Sequence, residues 1–303
     1  MYLSKEAVNV RDRDLVGCFN DNYEYFYLDS MHYLCEKEEI DTIVTGLSYG
    51  MDGIDTKMLS TPALNFSMRA QDLYYDFLHA SYAIKNSKVK IKQCIITLGL
   101  YSLNYDLSLS SSKYKCVKTY VPLFGDSHHA PKAELGTEGK VWDECRRFAH
   151  EFFMQNPSFY GDAITRKHTS VYAASRGGWS NLSKEQRAEY AHNLAEKHNK
   201  HIKHKDTFDE NSIILKDYIK FLVENEVRPI VLILPFSREY SESISPIYLE
   251  KILEVLEGME YAIDYINMNE IDCFDTDDFS DADHLNERGA AKATALMDAF
   301  LTQ

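Results

Sequence analysis

Ser48 lies in the run Gly46-Leu-Ser-Tyr-Gly-Met-Asp-Gly53, directly after the apolar stretch Thr42-Ile-Val-Thr45, so it stands where a strand gives way to a helix. Open α/β sheets place reactive groups at such strand ends. A serine hydroxyl is a weak nucleophile until an imidazole takes its proton, and the imidazolium so formed needs a carboxylate to hold its tautomer. The same serine would serve equally as a helix N-cap. Far downstream, Asp278-Phe-Ser-Asp-Ala-Asp-His-Leu-Asn286 precedes the last helical pattern. With two residues between them, Asp281 and His284 can be brought together by a turn, the carboxylate on Nδ1 and Nε2 facing outward. Asp283, adjacent to His284, is expected to point away from the ring. A solvated acidic loop that caps the next helix is the alternative for the whole stretch.

Two further blocks follow strand-like runs: Asn65-Phe-Ser-Met-Arg-Ala-Gln-Asp72 and Thr97-Leu-Gly-Leu-Tyr-Ser102. In order and in position at strand ends, the four blocks resemble the SGNH/GDSL-type hydrolase superfamily. Asn65 to Tyr75 and the strand-plus-loop Ile230-Val-Leu-Ile-Leu-Pro-Phe-Ser-Arg-Glu-Tyr240 look most like the branch that contains the D-alanyl transfer protein of lipoteichoic acid synthesis and the acetyltransferase-like proteins of exopolysaccharide pathways. The resemblance implies Ser48 as nucleophile, His284 as general base and then acid, and Asp281 as the group that orients it. It implies an oxyanion hole from the backbone N–H groups of Ser48 and Ala70, with Ala70 standing where many members have glycine. The third block offers Tyr101, or Ser102 with a slip of one, where the family has an asparagine donor. The implied activity is acyl hydrolysis or O-acyl transfer through an acyl-enzyme on a carbohydrate or glycan precursor. No resident cofactor is expected; a transferase would take acetyl-CoA or another acyl donor as co-substrate. The substituted third block motivates a second expectation, a catalytically silent scaffold that binds a glycan or a partner protein.

Three other residues are candidate substrate contacts: Arg238 after the 229–234 run and Arg69 beside Ala70 for an anionic group, and Trp179, in Arg176-Gly-Gly-Trp179, for stacking on a sugar. Each has an ordinary alternative, a surface ion pair or a plain loop. His192, His198, His201 and His204 are interleaved with Lys197, Lys200, Lys203 and Lys205, and a cation binds poorly among cations. They read as a solvated helical face, and no metal is assigned. The glycines at 46, 50 and 53 do not make a dinucleotide fingerprint, and no phosphate loop follows a strand.

These groups need a scaffold that brings strand ends together. Short apolar runs at 42–45, 63–66, 91–98, 229–234 and 261–266 suit strands covered on both faces. Helical patterns at 71–84, 142–153, 184–204, 211–226, 248–256 and 287–301 alternate with them. The pattern predicts a flavodoxin-like, three-layer α/β/α domain over the whole chain. Residues 104–209 form a largely helical insertion expected to overhang the site, with 108–113 as a flexible piece that buries nothing.

The 303 residues carry 33 Lys and Arg against 47 Asp and Glu, a net charge of −14 that disfavours nucleic acid and anionic membrane surfaces as partners. The 6 cysteines contain no C-x-x-C pair, which suits free thiols in a reducing compartment. No window approaches the roughly 18 uncharged residues of a membrane span, and no signal-peptide core precedes Arg11-Asp-Arg-Asp14. A cytoplasmic location is the expectation.

Overall fold

A computed structural model describes residues 21–131 and 178–302. These fall into two compact units, one formed by 21–34 with 107–131 and the other by 35–106 with 178–302. The second contains the sheet and the candidate site. Residues 178–209, read from sequence as the end of an insertion, belong to the sheet unit. The helix expected at 142–153 lies outside the described residues.

Five parallel strands make up the sheet: β1 (Thr42–Gly46), β2 (Ala63–Asn65), β3 (Gln93–Thr97), β4 (Arg228–Ile233) and β5 (Asp264–Asn267), in the order β2-β1-β3-β4-β5. Each corresponds to one of the apolar runs. Ile43, Val44, Cys94, Ile95, Ile96, Ile230, Val231, Leu232 and Ile233 are all fully buried, as a parallel sheet covered on both faces requires. β5, at the edge, is only half-buried, and it has the weakest apolar run. The order reverses direction between β1 and β3, and the carboxyl ends of these two strands open the crevice where α/β sheets bind ligands.

The helices are α1 (Tyr23–Lys37), α2 (Ser48–Gly53), α3 (Leu73–Asn86), α4 (Lys184–Asn199), α5 (Lys205–Glu224), α6 (Ile247–Glu257) and α7 (Glu287–Leu301), together with shorter turns. On the sheet unit, α3 and α5 pack against each other and on β1 and β4, while α7 packs on α2. Helix covers both faces of the sheet, and the three-layer architecture follows. The caps are local: Asp72 accepts the Tyr75 N–H at the start of α3, and Asn286 accepts those of Arg288 and Gly289 at the start of α7. The pattern at 184–204 divides into α4 and a 3₁₀ turn, Lys200–Lys203. Ser183 and Gln186 close a capping box on α4.

In the other unit, the serine-rich piece at 108–113 is exposed at Leu109, Ser111 and Lys113 and departs from the expectation only at its first residue. Ser108 is buried beside a fully buried Leu107, and Ser110 caps a turn by donating to the Leu107 carbonyl.

Candidate active site

β1 ends at Gly46, whose φ is +140° and whose Cβ, if present, would lie 1.9 Å from Thr97 Oγ1. Only glycine permits that approach and that backbone turn. The turn passes through Leu47 into α2, which places Ser48 at the helix start. From β2, Asn65 Nδ2 donates to the Gly50 and Ile54 carbonyls, tying the second block to α2. From β3, Thr97 Oγ1 donates to the Thr45 carbonyl at 2.8 Å. The serine is therefore fixed from both neighbouring strands.

The 281–284 loop is shaped by its own first residue. Asp281 Oδ1 accepts the backbone N–H groups of Asp283 (3.1 Å) and His284 (2.9 Å), and the Ser280 N–H donates to the His284 carbonyl, which closes a tight turn. Beneath it, the buried Asp278 holds Lys292 of α7 at 2.7 Å, and the Asp278 carbonyl accepts the Asn286 N–H. The turn hence rides on the start of α7.

These two supports bring together groups 236 residues apart: Ser48 Oγ lies 2.7 Å from His284 Nε2. On the other side of the ring, Nδ1 lies 3.0 Å from Asp281 Oδ1. Asp283 departs from its expected orientation. Its Oδ1 lies 2.9 Å from the same Nδ1, because the turn that Asp281 caps wraps residues 281 to 284 around the imidazole. Asp283 Oδ2 accepts the Tyr49 hydroxyl at 2.8 Å, and the Tyr49 ring stacks on the imidazole at 5.1 Å between centroids. The shared imidazole proton accounts for the convergence of the two carboxylates on Nδ1, and no metal is assigned there.

Burial by itself lowers the proton affinity of His284. The Asp283 charge, hydrogen bonds to Asp281 and Asp283 and the Asp281 charge reverse this and raise its pKa to about 10. Asp283, although burial opposes its ionisation, is held well below the usual carboxylate range by the charge and hydrogen bond of His284.

Ala70 has φ +60°, a left-handed conformation that costs an alanine about 1 kcal/mol and a glycine almost nothing. The backbone there keeps the shape of a glycine position. Tyr101, the expected oxyanion donor, stands in a cluster of aromatic rings. Its ring packs edge-on against Tyr49 at 6.4 Å and on His198 at 4.4 Å. Ser102 Oγ accepts the Gly99 N–H at 2.9 Å, which occupies a lone pair and not its hydroxyl proton.

The three candidate substrate contacts have protein partners of their own. Arg69 pairs with Asp52 at 2.9 Å, and Arg238, with its side chain 87% exposed, pairs with Glu242 one turn on. Trp179 is buried and packs against Tyr190, so its face is not offered to a sugar. An indole after two glycines reads as mobile in sequence, but its large apolar area favours burial.

His198 and His201 correct the solvated-face reading. Both rings lie against Tyr101, and His198 Nδ1 is 2.6 Å from the buried Tyr240 hydroxyl. His192 and His204 are exposed, as that reading has it. Sequence reasoning missed Tyr49 and Tyr240 as parts of the site. Tyr49 carried a signal, since it follows the serine at the strand end, and Tyr240 closes the 230–240 strand-plus-loop block, where only Arg238 was taken as a site residue.

No family model matches the chain, and no curated protein does. Among solved structures, it is similar to a Streptococcus pneumonia protein provisionally described as a platelet activating factor, at 8% identity and a TM-score of 0.47 over 97% of this chain and 100% of that one.

Proposed function

We propose that the chain is an SGNH-type serine acyl hydrolase or O-acyltransferase, with a carbohydrate or glycan precursor as its substrate. The observation that carries this reading is the contact of Ser48 Oγ with His284 Nε2 at 2.7 Å, on an imidazole whose Nδ1 is held by carboxylate. Ser48 Oγ attacks the acyl carbonyl carbon and its proton passes to Nε2. The tetrahedral oxyanion is met by the N–H groups of Ser48 and Ala70. His284 then returns the proton to the leaving oxygen, which leaves an acyl-enzyme that water or a sugar hydroxyl resolves. The glycan substrate is supported by the branch resemblance alone, and a transferase would draw on acetyl-CoA or another acyl donor.

Intact mass after incubation with a fluorophosphonate tests the nucleophile. One adduct is expected on wild type at alkaline pH, with none on Ser48→Ala or His284→Ala. An equal adduct on Ser48→Ala would reject the assignment.

The second reading, a silent scaffold that binds a glycan or partner, rests on the substituted third block, where Tyr101 and Ser102 stand in place of an asparagine donor. Turnover of p-nitrophenyl acetate that is lost in Ser48→Ala excludes it. No membrane-spanning helix occurs among the described residues, and the cytoplasmic location stays part of this proposal.

A further inference from the structure

The base has two carboxylates where one would fix its tautomer, and the two are differently supported. Asp281 Oδ1 takes two backbone N–H groups besides the ring, and its side chain is 19% exposed, so backbone dipoles and water share its charge. Asp283 is only 3% exposed, and its second oxygen takes a neutral donor, the Tyr49 hydroxyl. A carboxylate so buried stays ionised only if a cation faces it. The group that faces it at 2.9 Å is the imidazole.

We propose that Asp283, clamped by Tyr49, is a second positioning carboxylate of the site: Asp281 sets the orientation of the His284 ring and Asp283 sets its charge. The inference rests on the reading of His284 as the base. Facing the ring are Ser48 and Tyr49 from α2, His198 from α4, and Asp281 and Asp283 from its own loop, with Tyr101 packed behind on Tyr49 and His198. Burial keeps Tyr49 and Tyr101 in their neutral phenol forms and lowers the proton affinity of His198. The two aspartates are therefore the charges that decide the state of the imidazole. An imidazolium donates from Nε2 to Ser48 Oγ and cannot take its proton. Asp283 thus holds the resting site in a state that becomes competent as that proton is lost at alkaline pH.

Two isosteric variants move the imidazole in opposite directions. Asp283→Asn keeps an acceptor for Tyr49 and removes the charge, so His284, followed by NMR of its ring, should titrate at least about one pH unit lower, a tenfold loss of proton affinity. The rising limb of the pH–rate profile should move down with it. Tyr49→Phe keeps the stacked ring but removes the neutral donor from Asp283, which then leans harder on the imidazolium, and His284 should titrate higher. Asp281→Asn should lower the rate across the whole pH range, because ring orientation is lost, and should shift the His284 titration less than Asp283→Asn does. A wild-type titration in Asp283→Asn overturns the proposal. Should that variant not fold, a titration that is unchanged or lower in Tyr49→Phe overturns it. The titration needs no turnover, so a lack of Ser48-dependent esterase activity in every protein would count against the proposed function and leave this test standing.

Discussion

At the scale of single residues, the chemistry turns on one imidazole and what surrounds it. A general base must be neutral when it accepts a proton, and the His284 pKa is raised to about 10, by Asp283 above all, against the pull of burial. Ester turnover should therefore climb by close to tenfold per pH unit from pH 7 toward pH 10 and then level; a profile already flat above pH 7 would contradict this assignment of charge. The same charge acts on stability with a definite sign. A raised imidazole pKa stabilises the fold fully below the unfolded value of 6.5, and this contribution is lost as pH climbs through about 10. Tyr101 gives a separate test. Its ring packs on Tyr49 and His198 as part of the aromatic wall, so Tyr101→Phe should change the rate by less than about tenfold, whereas loss of a true oxyanion donor costs about a hundredfold or more. A hundredfold loss in steady-state turnover would return Tyr101 to the oxyanion hole.

At the scale of elements, the site depends on how closely β1 can approach β3. Gly46 and Gly50 both abut Thr97, where an added Cβ would come within 1.9 and 2.2 Å of its hydroxyl. At Gly46, backbone also stands in the way, since the Thr97 carbonyl lies 2.3 Å from that Cβ position. Gly46→Ala combines overpacking with a disfavoured φ and should cost at least about 3 kcal/mol, measured by chemical denaturation. A loss below about 1 kcal/mol would mean that the β1–α2 turn can relax. The strand and helix identities were legible because 4–8-residue apolar runs and 3.6-residue periodicities are local properties. Strand ends were less so: Ile91 and Leu98 lie outside β3, although both are buried like the strand and the Leu98 N–H still donates to the Leu232 carbonyl.

At the scale of the whole molecule, the described residues form two compact units, each with its own buried ionisable groups. In the unit of 21–34 with 107–131, His32 packs edge-on against Phe124, and burial lowers its pKa to about 4 despite the charge of Asp29. The sign is opposite to that of His284: stability is intact above the unfolded value of 6.5 and is lost as pH falls toward 4. His32→Phe should flatten the fall in melting temperature between pH 7 and pH 5, by several degrees at pH 5. An unchanged slope would place the acid sensitivity elsewhere. The chain's charge of −14 adds a broad self-repulsion above its isoelectric point that is separate from such local terms.

What the sequence by itself determined is the alternation of strands and helices, the serine at the end of β1 and the Asp-x-x-His before α7. Each is written in contiguous residues whose spacing and turn chemistry act locally. Tertiary packing alone decided that Ser48 and His284 meet at 2.7 Å, that Asp283 turns inward to a second contact with the ring, and that His198 joins the aromatic wall. It also decided that Trp179 is buried while Arg238 stays on the surface. Burial and partner choice depend on which distant element fills the neighbouring space, and a side chain's type does not encode that. Asp283 and Asp281 have the same chemistry, and only their surroundings separate a charge shared with water from one balanced by the imidazole.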